Sequence, residues 1–453
     1  MSGPTSPSGG AGALPLDAID RFAADFASNP RNLLARNAVT KTPVNAVAQN
    51  RVAAVEANHV FSHVVKAGQA TSQKSSGRCW LFAGLNPMRA VAMQGMNLEN
   101  FELSQNYPMF WDKLEKANFF LESILATLDE PVNGRLVSWL LQSPVQDGGQ
   151  WHMFTNIVRK YGVVPKSAMP ETESSSSTGA MCNQITGKLR EDACRLRSLA
   201  AAGADLAALR ERKGEMLAEV YRMLAIHLGE PPKRFLWQWR DKDDKFTRDG
   251  VLTPQEFQAK RVPYDLDSKV CLIHCPTADK PFNKLYTIDF LGNVVDGEIV
   301  KYLNVDLPTF KKATRDALVD GNAVWFGCDC GPLFDRDLGV WDMRLYDYEL
   351  VYGTACRMTK AERLDYGHSS MNHAMVFTGV DLDDEGYPRK WRVENSWGDT
   401  GGDKGFYVML DNWFDEYMYE VAVDRKYIPE SLHAALDEEP IHLPPWDPMG
   451  ALA

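Results

Sequence analysis

Hydrophobic positions change rhythm roughly halfway along the chain. In the first half they recur at helical spacing. Ile19, Phe22, Ala23 and Phe26 predict a short amphipathic helix over 18–26. Further helices are expected from Trp80 to Met93, within the aromatic-rich stretch Ser104 to Leu128, and from Trp151 to Tyr161. Turn chemistry separates them, at QKSSGRC (73–79) and PVQDGGQ (144–150), while His59 to Val65 alternates loosely like a strand. The run SSSSTG at 174–179 reads as a loop tip, and 187–228 predicts two helices interrupted near Gly203. From Lys269 onward short β-like runs take over: Leu285–Asp289, Ala323–Cys328, His373–Val380, Lys390–Glu394 and Gly405–Leu410.

A helical first half and a β-rich second half predict an α+β fold of two lobes with an inserted helical subdomain. The expected boundaries are a disordered tail over 1–14, an N-terminal arm and helical lobe over 15–173, and the helical insertion over 174–268. A β-rich lobe over 269–442 and a C-terminal arm over 443–453 complete the chain.

Composition narrows the function classes. With 453 residues, 45% of them hydrophobic, the chain can bury a large core without disulfide or metal staples. No stretch approaches the ~20 apolar residues of a membrane-spanning helix, so no membrane partner is expected. A net charge of -11 predicts weak, salt-sensitive nucleic-acid binding at most. The opening MSGPTSPSGGAGAL has no basic start and no apolar core, so no secretory signal is expected. Eight irregularly spaced cysteines then predict reduced thiols in a cytoplasmic compartment. Cys328-Asp329-Cys330 and Cys271-Leu272-Ile273-His274-Cys275 lack the paired spacing of a structural zinc site, and no metal or other cofactor is expected. Asp381 to Gly386 is expected to be a hairpin turn, and Asp241 to Lys245 a solvated loop.

Cys79 stands where a glycine-containing turn meets a helix. Helix N-termini favour thiolate over thiol. A single cysteine is ordinarily a buried small hydrophobe, so a partner base is needed before chemistry is assigned. His373 opens an apolar β-run in MNHAMV (371–376), and Asn395 follows a strand in VENSWG (393–398). A histidine can take the thiol proton while an amide oxygen holds the ring through its other nitrogen. Trp397 could shield that second contact from water.

Gln73, Cys79-Trp80, His373 and Asn395-Ser396-Trp397-Gly398 together resemble the papain-like cysteine peptidases. The resemblance implies an oxyanion hole made by the Gln73 side chain and the Cys79 N–H. Gln146-Asp147-Gly148-Gly149 resembles the family's substrate-pairing strip, which implies that Gly148 and Gly149 bind substrate. Two departures stand out. Ser76 and Gln146 occupy the two positions of the disulfide found in secreted members, so both halves are missing together. Cys79 and His373 are 294 residues apart (373 − 79), against ~130–150 in the papain pattern, which leaves room for an inserted domain.

QKSSGRCWL (73–81), LSQN (103–106), DKLEK (112–116), MNHAM (371–375) and WDPMGALA (446–453) are similar to the bleomycin hydrolase branch of that family. This implies a homohexamer acting on peptides with a free N-terminus, and on amide compounds such as bleomycin. It also implies a C-terminal arm lying in its own cleft, with the Ala453 carboxylate setting exopeptidase selectivity; read without the resemblance, 443–453 is a frayed end. An unrestricted endopeptidase, an idle scaffold and a secondary nucleic-acid-binding role are the alternatives.

Overall fold

The computed structural model describes residues 12–452 and divides into two compact units, Met1–Glu56 with Met343–Arg357, and Ala57–Asp342 with Met358–Ala453. The expectation for the tail therefore falls largely outside the described residues, and that for Ala453 wholly so.

The smaller unit is helical. Its first helix, Leu16–Ser28, encloses the expected 18–26. Residues 343–357 close against it through backbone bonds from Asn50 N–H to the Leu345 carbonyl (2.8 Å) and from Asp347 N–H to the Ala48 carbonyl (2.7 Å).

The larger unit pairs a helical half with one mixed sheet. Helices Cys79–Met96, Asn106–Ala126 and Trp151–Tyr161 lie close to their expected limits. The insertion contains helices Gly179–Ala201 and Leu206–Leu228, separated at Gly203, whose φ of +95° suits a glycine. It also holds an antiparallel hairpin, Phe235–Arg240 with Phe246–Leu252, that helical periodicity does not reveal. Asp241 to Lys245 is its turn. The Ser-rich stretch is no free tip. Thr172 and Ser175 form a reciprocal cap around Glu173–Ser176, Ser175 is buried, and Ser75 N–H donates to the Ser176 carbonyl (2.9 Å). The expected strand over 59–65 shrinks to His63–Val64.

Three antiparallel strands form the middle of the sheet: Met418–Asp424, Val324–Cys328 and His373–Leu382, followed by Pro388–Glu394 and Phe406–Leu410. Val376 pairs with Glu394, so the start of one strand lies beside the end of the next. That register brings His373 and Asn395 to the same edge. At the far end, Ile441–Leu443 adds in parallel to Lys284–Ile288.

Glu420 lies in the middle of this sheet, fully buried beside Cys271. Burial pushes its carboxyl up to about 8, with the Cys271 side chain pulling the other way. An acid kept neutral in the fold but ionised in the unfolded chain withdraws stability as pH rises from its ordinary value towards the raised one. Glu420→Gln removes that dependence. Its melting temperature, relative to the parent, is expected to rise steadily between pH 5 and pH 8; parallel melting curves across that range would show that Glu420 ionises freely.

Candidate active site

Two distant segments meet beside the sheet edge. Gly398 N–H donates to the Thr71 carbonyl (2.9 Å), and Gln73 N–H donates to the Ser396 carbonyl (2.8 Å). Ser396 Oγ also donates to Gln73 Oε1 (2.5 Å). Gln73 is thus held with its amide nitrogen turned inward, where it donates to the Ser76 carbonyl. The second N–H on that nitrogen remains available to another acceptor.

The imidazole tautomer follows from the same network. Asn395 Oδ1 accepts from the Ser396 N–H (2.7 Å), which identifies that atom as the oxygen. His373 Nε2, 3.0 Å from it, must then carry hydrogen. A neutral ring with Nε2 protonated leaves Nδ1 as a proton acceptor. The Trp397 ring stacks on the imidazole with centroids 5.0 Å apart and planes inclined by 22°. Arg336 lies over the Trp397 ring, 5.4 Å from its centroid. His373 and Asn395 are both buried, so their hydrogen bond is shielded from water.

Cys79 is the first residue of helix Cys79–Met96 and is 3% exposed. Its thiol lies against the backbone N–H of Ala374, the residue following His373, and against the N–H groups of Trp80 and Cys79 itself. Burial pushes the thiol up to about 11; those N–H groups oppose the shift, and the Asp147 charge adds to it. Burial likewise pushes His373 down to about 4, against the Asn395 hydrogen bond. Each group alone is therefore neutral. The N–H groups at the helix start favour a charge on the sulfur, while burial disfavours it.

Gly149 allows the strip to approach helix Cys79–Met96. A Cβ there would sit 2.6 Å from the Trp80 ring. Lys116 Nζ donates to the Gly148 carbonyl (2.7 Å) and to the Gln146 carbonyl (2.9 Å), which fixes the strip from behind. Gln150 Nε2, one residue further on, donates to the Ala451 carbonyl of the C-terminal arm (2.6 Å).

Comparison with known proteins agrees with this geometry. The model of the Peptidase C1-like family matches residues 13–450. The chain belongs to that family. It is 47% identical over 440 residues to an aminopeptidase C of Listeria innocua, covering 97% of this chain and 99% of the relative. It is 46% identical over 435 residues to the human bleomycin hydrolase, covering 94% and 96% respectively. Among solved structures, PepW from Lactobacillus rhamnosis superposes with a TM-score of 0.96 at 46% identity, over 98% of this chain and all of that one. The fold is the papain-like α+β arrangement expected from the sequence.

Buried polar groups span the place of the missing disulfide in this C1-like chain. Asp147 accepts from the Gly77 N–H (2.9 Å) and from the Thr178 hydroxyl, and pairs with the buried Lys113 (2.6 Å). Its carbonyl accepts from Trp80 Nε1 (2.7 Å). Burial disfavours its charge, yet Lys113 and these donors hold the carboxyl well below the usual carboxylate range. Beside it Arg78, 1% exposed, forms a two-pronged pair with Glu171 (3.1 and 2.8 Å). Arg89 and Asn86, from helix Cys79–Met96, grip buried Glu394 (2.6 and 2.9 Å), the residue before Asn395.

Local patterns singled out Cys79, His373 and Asn395 but not these supports. The one available sequence signal was charge at apolar-face positions, as with Arg89 among LFAGLNPMRAVAM (81–93). Asp147→Ala is expected to lower kcat by roughly tenfold or more, because the loop of Gln73 and Cys79 loses its tether to the strip. Asp147→Asn, which keeps the size but loses the charge opposite Lys113, is expected to fall between. Steady-state kinetics check this; kcat unchanged in both variants would mean the loop is positioned without Asp147.

Proposed function

We propose that this chain is a papain-like cysteine aminopeptidase that removes N-terminal residues from peptides, with Cys79 as nucleophile. The observation that carries the reading is the tautomer fixed by Asn395, which leaves His373 Nδ1 free to accept a proton. Nδ1 takes the Cys79 proton as sulfur attacks the first amide carbonyl. The developing oxyanion is met by the Cys79 N–H and the free N–H of Gln73. The imidazolium then gives its proton to the leaving amine, a thioester remains on Cys79, and a water activated by His373 hydrolyses it. Trp397 keeps water from the His373–Asn395 bond, and the backbone of Gly148 and Gly149 guides the extended substrate. None of these steps calls on a cofactor.

The restriction to free amines belongs to the C-terminal arm in this reading, through attraction of the substrate's ammonium group to the Ala453 carboxylate. Ala451 bonded to Gln150, next to the strip, supports an arm that reaches the cleft. Bleomycin-like amides are accepted for the same reason as peptides, since the arm admits a free amine beside a scissile amide. The assembly is a homohexamer in the cytoplasm. Exposed Leu16, Ile19, Phe22 and Phe26 on one amphipathic helix support self-association, and eight free thiols suit a reducing compartment. Among the described residues no helix is long and apolar enough to cross a membrane.

One pair of substrates tests the activity and the restriction together. A fluorogenic amino-acid amide with its amine free is expected to turn over under reducing conditions, and its N-acetylated form is not. Removing residues 449–453 is expected to admit the acetylated form, whereas Cys79→Ser abolishes both reactions. Equal turnover of both forms by the full chain would make the protein an endopeptidase with the same nucleophile.

A further inference from the structure

Among the described residues the bend of the C-terminal arm carries one buried ion pair, and just before it Arg135 lies over the Trp446 ring, 3.9 Å from its centroid. After the edge strand Ile441–Leu443, Asp447 closes a short turn: its Oδ1 accepts from Met449 N–H (2.9 Å) and its carbonyl from Gly450 N–H (2.9 Å). Asp447 Oδ2 lies 3.2 Å from Lys280 Nζ, with the two side chains 10% and 4% exposed. Lys280 belongs to the loop between strands Lys269–Ile273 and Lys284–Ile288.

That loop is rigid enough to act as an anchor. Fully buried Asn304 donates to the carbonyls of Cys275 (2.9 Å) and Lys280 (2.8 Å) and accepts from the Cys275 N–H (2.9 Å). Burial opposes the Lys280 charge, but Asp279 and Asp447 outweigh it, so the ammonium is retained. Beyond the bend the arm has few polar attachments. Met449 is buried in a small pocket with Ile273, Leu364, Tyr419 and Met371, two residues before His373. Gly450 lies against Ile288, where a Cβ would meet Cγ2 at 3.1 Å. The Ala451 N–H bonds back within the turn to the Pro448 carbonyl (3.2 Å), and the Ala451 carbonyl accepts from Gln150. The pair Lys280–Asp447 is therefore the charged contact at the point where the last residues leave the bend.

We infer that Lys280 is a specificity-positioning residue: through Asp447 it latches the C-terminal arm over the strip, and so sets how strictly the enzyme demands a free amine. The inference rests on the proposed gating by the arm. Lys280 touches no reacting atom. Loss of its charge leaves Asp447 buried without its cation, a state relieved by the bend swinging towards water. The cleft is then open to blocked and longer substrates for part of the time.

The test compares kcat/KM for the acetylated and free-amine forms of one fluorogenic amide in the full chain, Lys280→Met, Lys280→Arg, Asp447→Asn and the chain lacking 449–453. Lys280→Met and Asp447→Asn are each expected to raise the acetylated-to-free ratio at least tenfold, while Lys280→Arg keeps it within about threefold of the parent. Asp447→Asn preserves the cap on Met449, so it serves if Lys280→Met folds poorly. The double variant is expected to raise the ratio no further than either single change, since both break one contact. If the truncated chain accepts the acetylated form but neither charge variant does, the latch is wrong and gating by the arm stands. If the truncated chain also refuses it, the gating itself is wrong.

Discussion

Exclusion of water from a thiol and an imidazole is the constraint around which the rest of this molecule is arranged. With Cys79 raised and His373 lowered by burial, neither group is charged alone, and every feature that stabilises their charged forms has to be supplied by the fold. The helix start brings N–H groups to the sulfur. The strand register brings Asn395 to the ring, and Trp397 seals that bond. In the proposed mechanism charge appears only as the proton crosses to Nδ1, where the N–H groups at the helix start meet the sulfur.

Holding such a site open against collapse requires rigid surroundings, and here these are polar. Asp147 ties the turn before Cys79 to the glycine strip and to Lys113. Glu394 ties the strand before Asn395 to Arg89 and Asn86 on helix Cys79–Met96. Removing one partner from such a buried pair leaves an uncompensated charge and costs more than the pair itself contributes. The Asp147 arrangement joins these segments with groups that reduction does not touch.

Cys79, His373 and Asn395 could be singled out because each carries a local signature: a cysteine at a turn-to-helix junction, a histidine opening a strand, an asparagine beside a tryptophan after one. Their supports were not, since Gly77 meets Asp147 across 70 positions and Arg89 meets Glu394 across 305. Long helices with a steady 3.6-residue rhythm, such as Trp151–Tyr161, were read almost to the residue. The hairpin of Phe235–Arg240 escaped, because both its faces carry aromatic or aliphatic residues and the surrounding helices dominate the pattern. The serine run 174–177 misled for a different reason. Small polar residues signal loops in general, yet here reciprocal capping uses them to dock the turn against Ser75.

The central claim is that amide hydrolysis passes through a thioester on Cys79, and intact-protein mass spectrometry of acid-quenched turnover addresses it directly. With a slowly deacylated amino-acid ester, the account predicts one acyl group per chain, mapped by digestion to the peptide containing Cys79 and absent from the His373→Ala variant. Steady turnover with no adduct, or an acyl group carried by Cys330 instead, would contradict it.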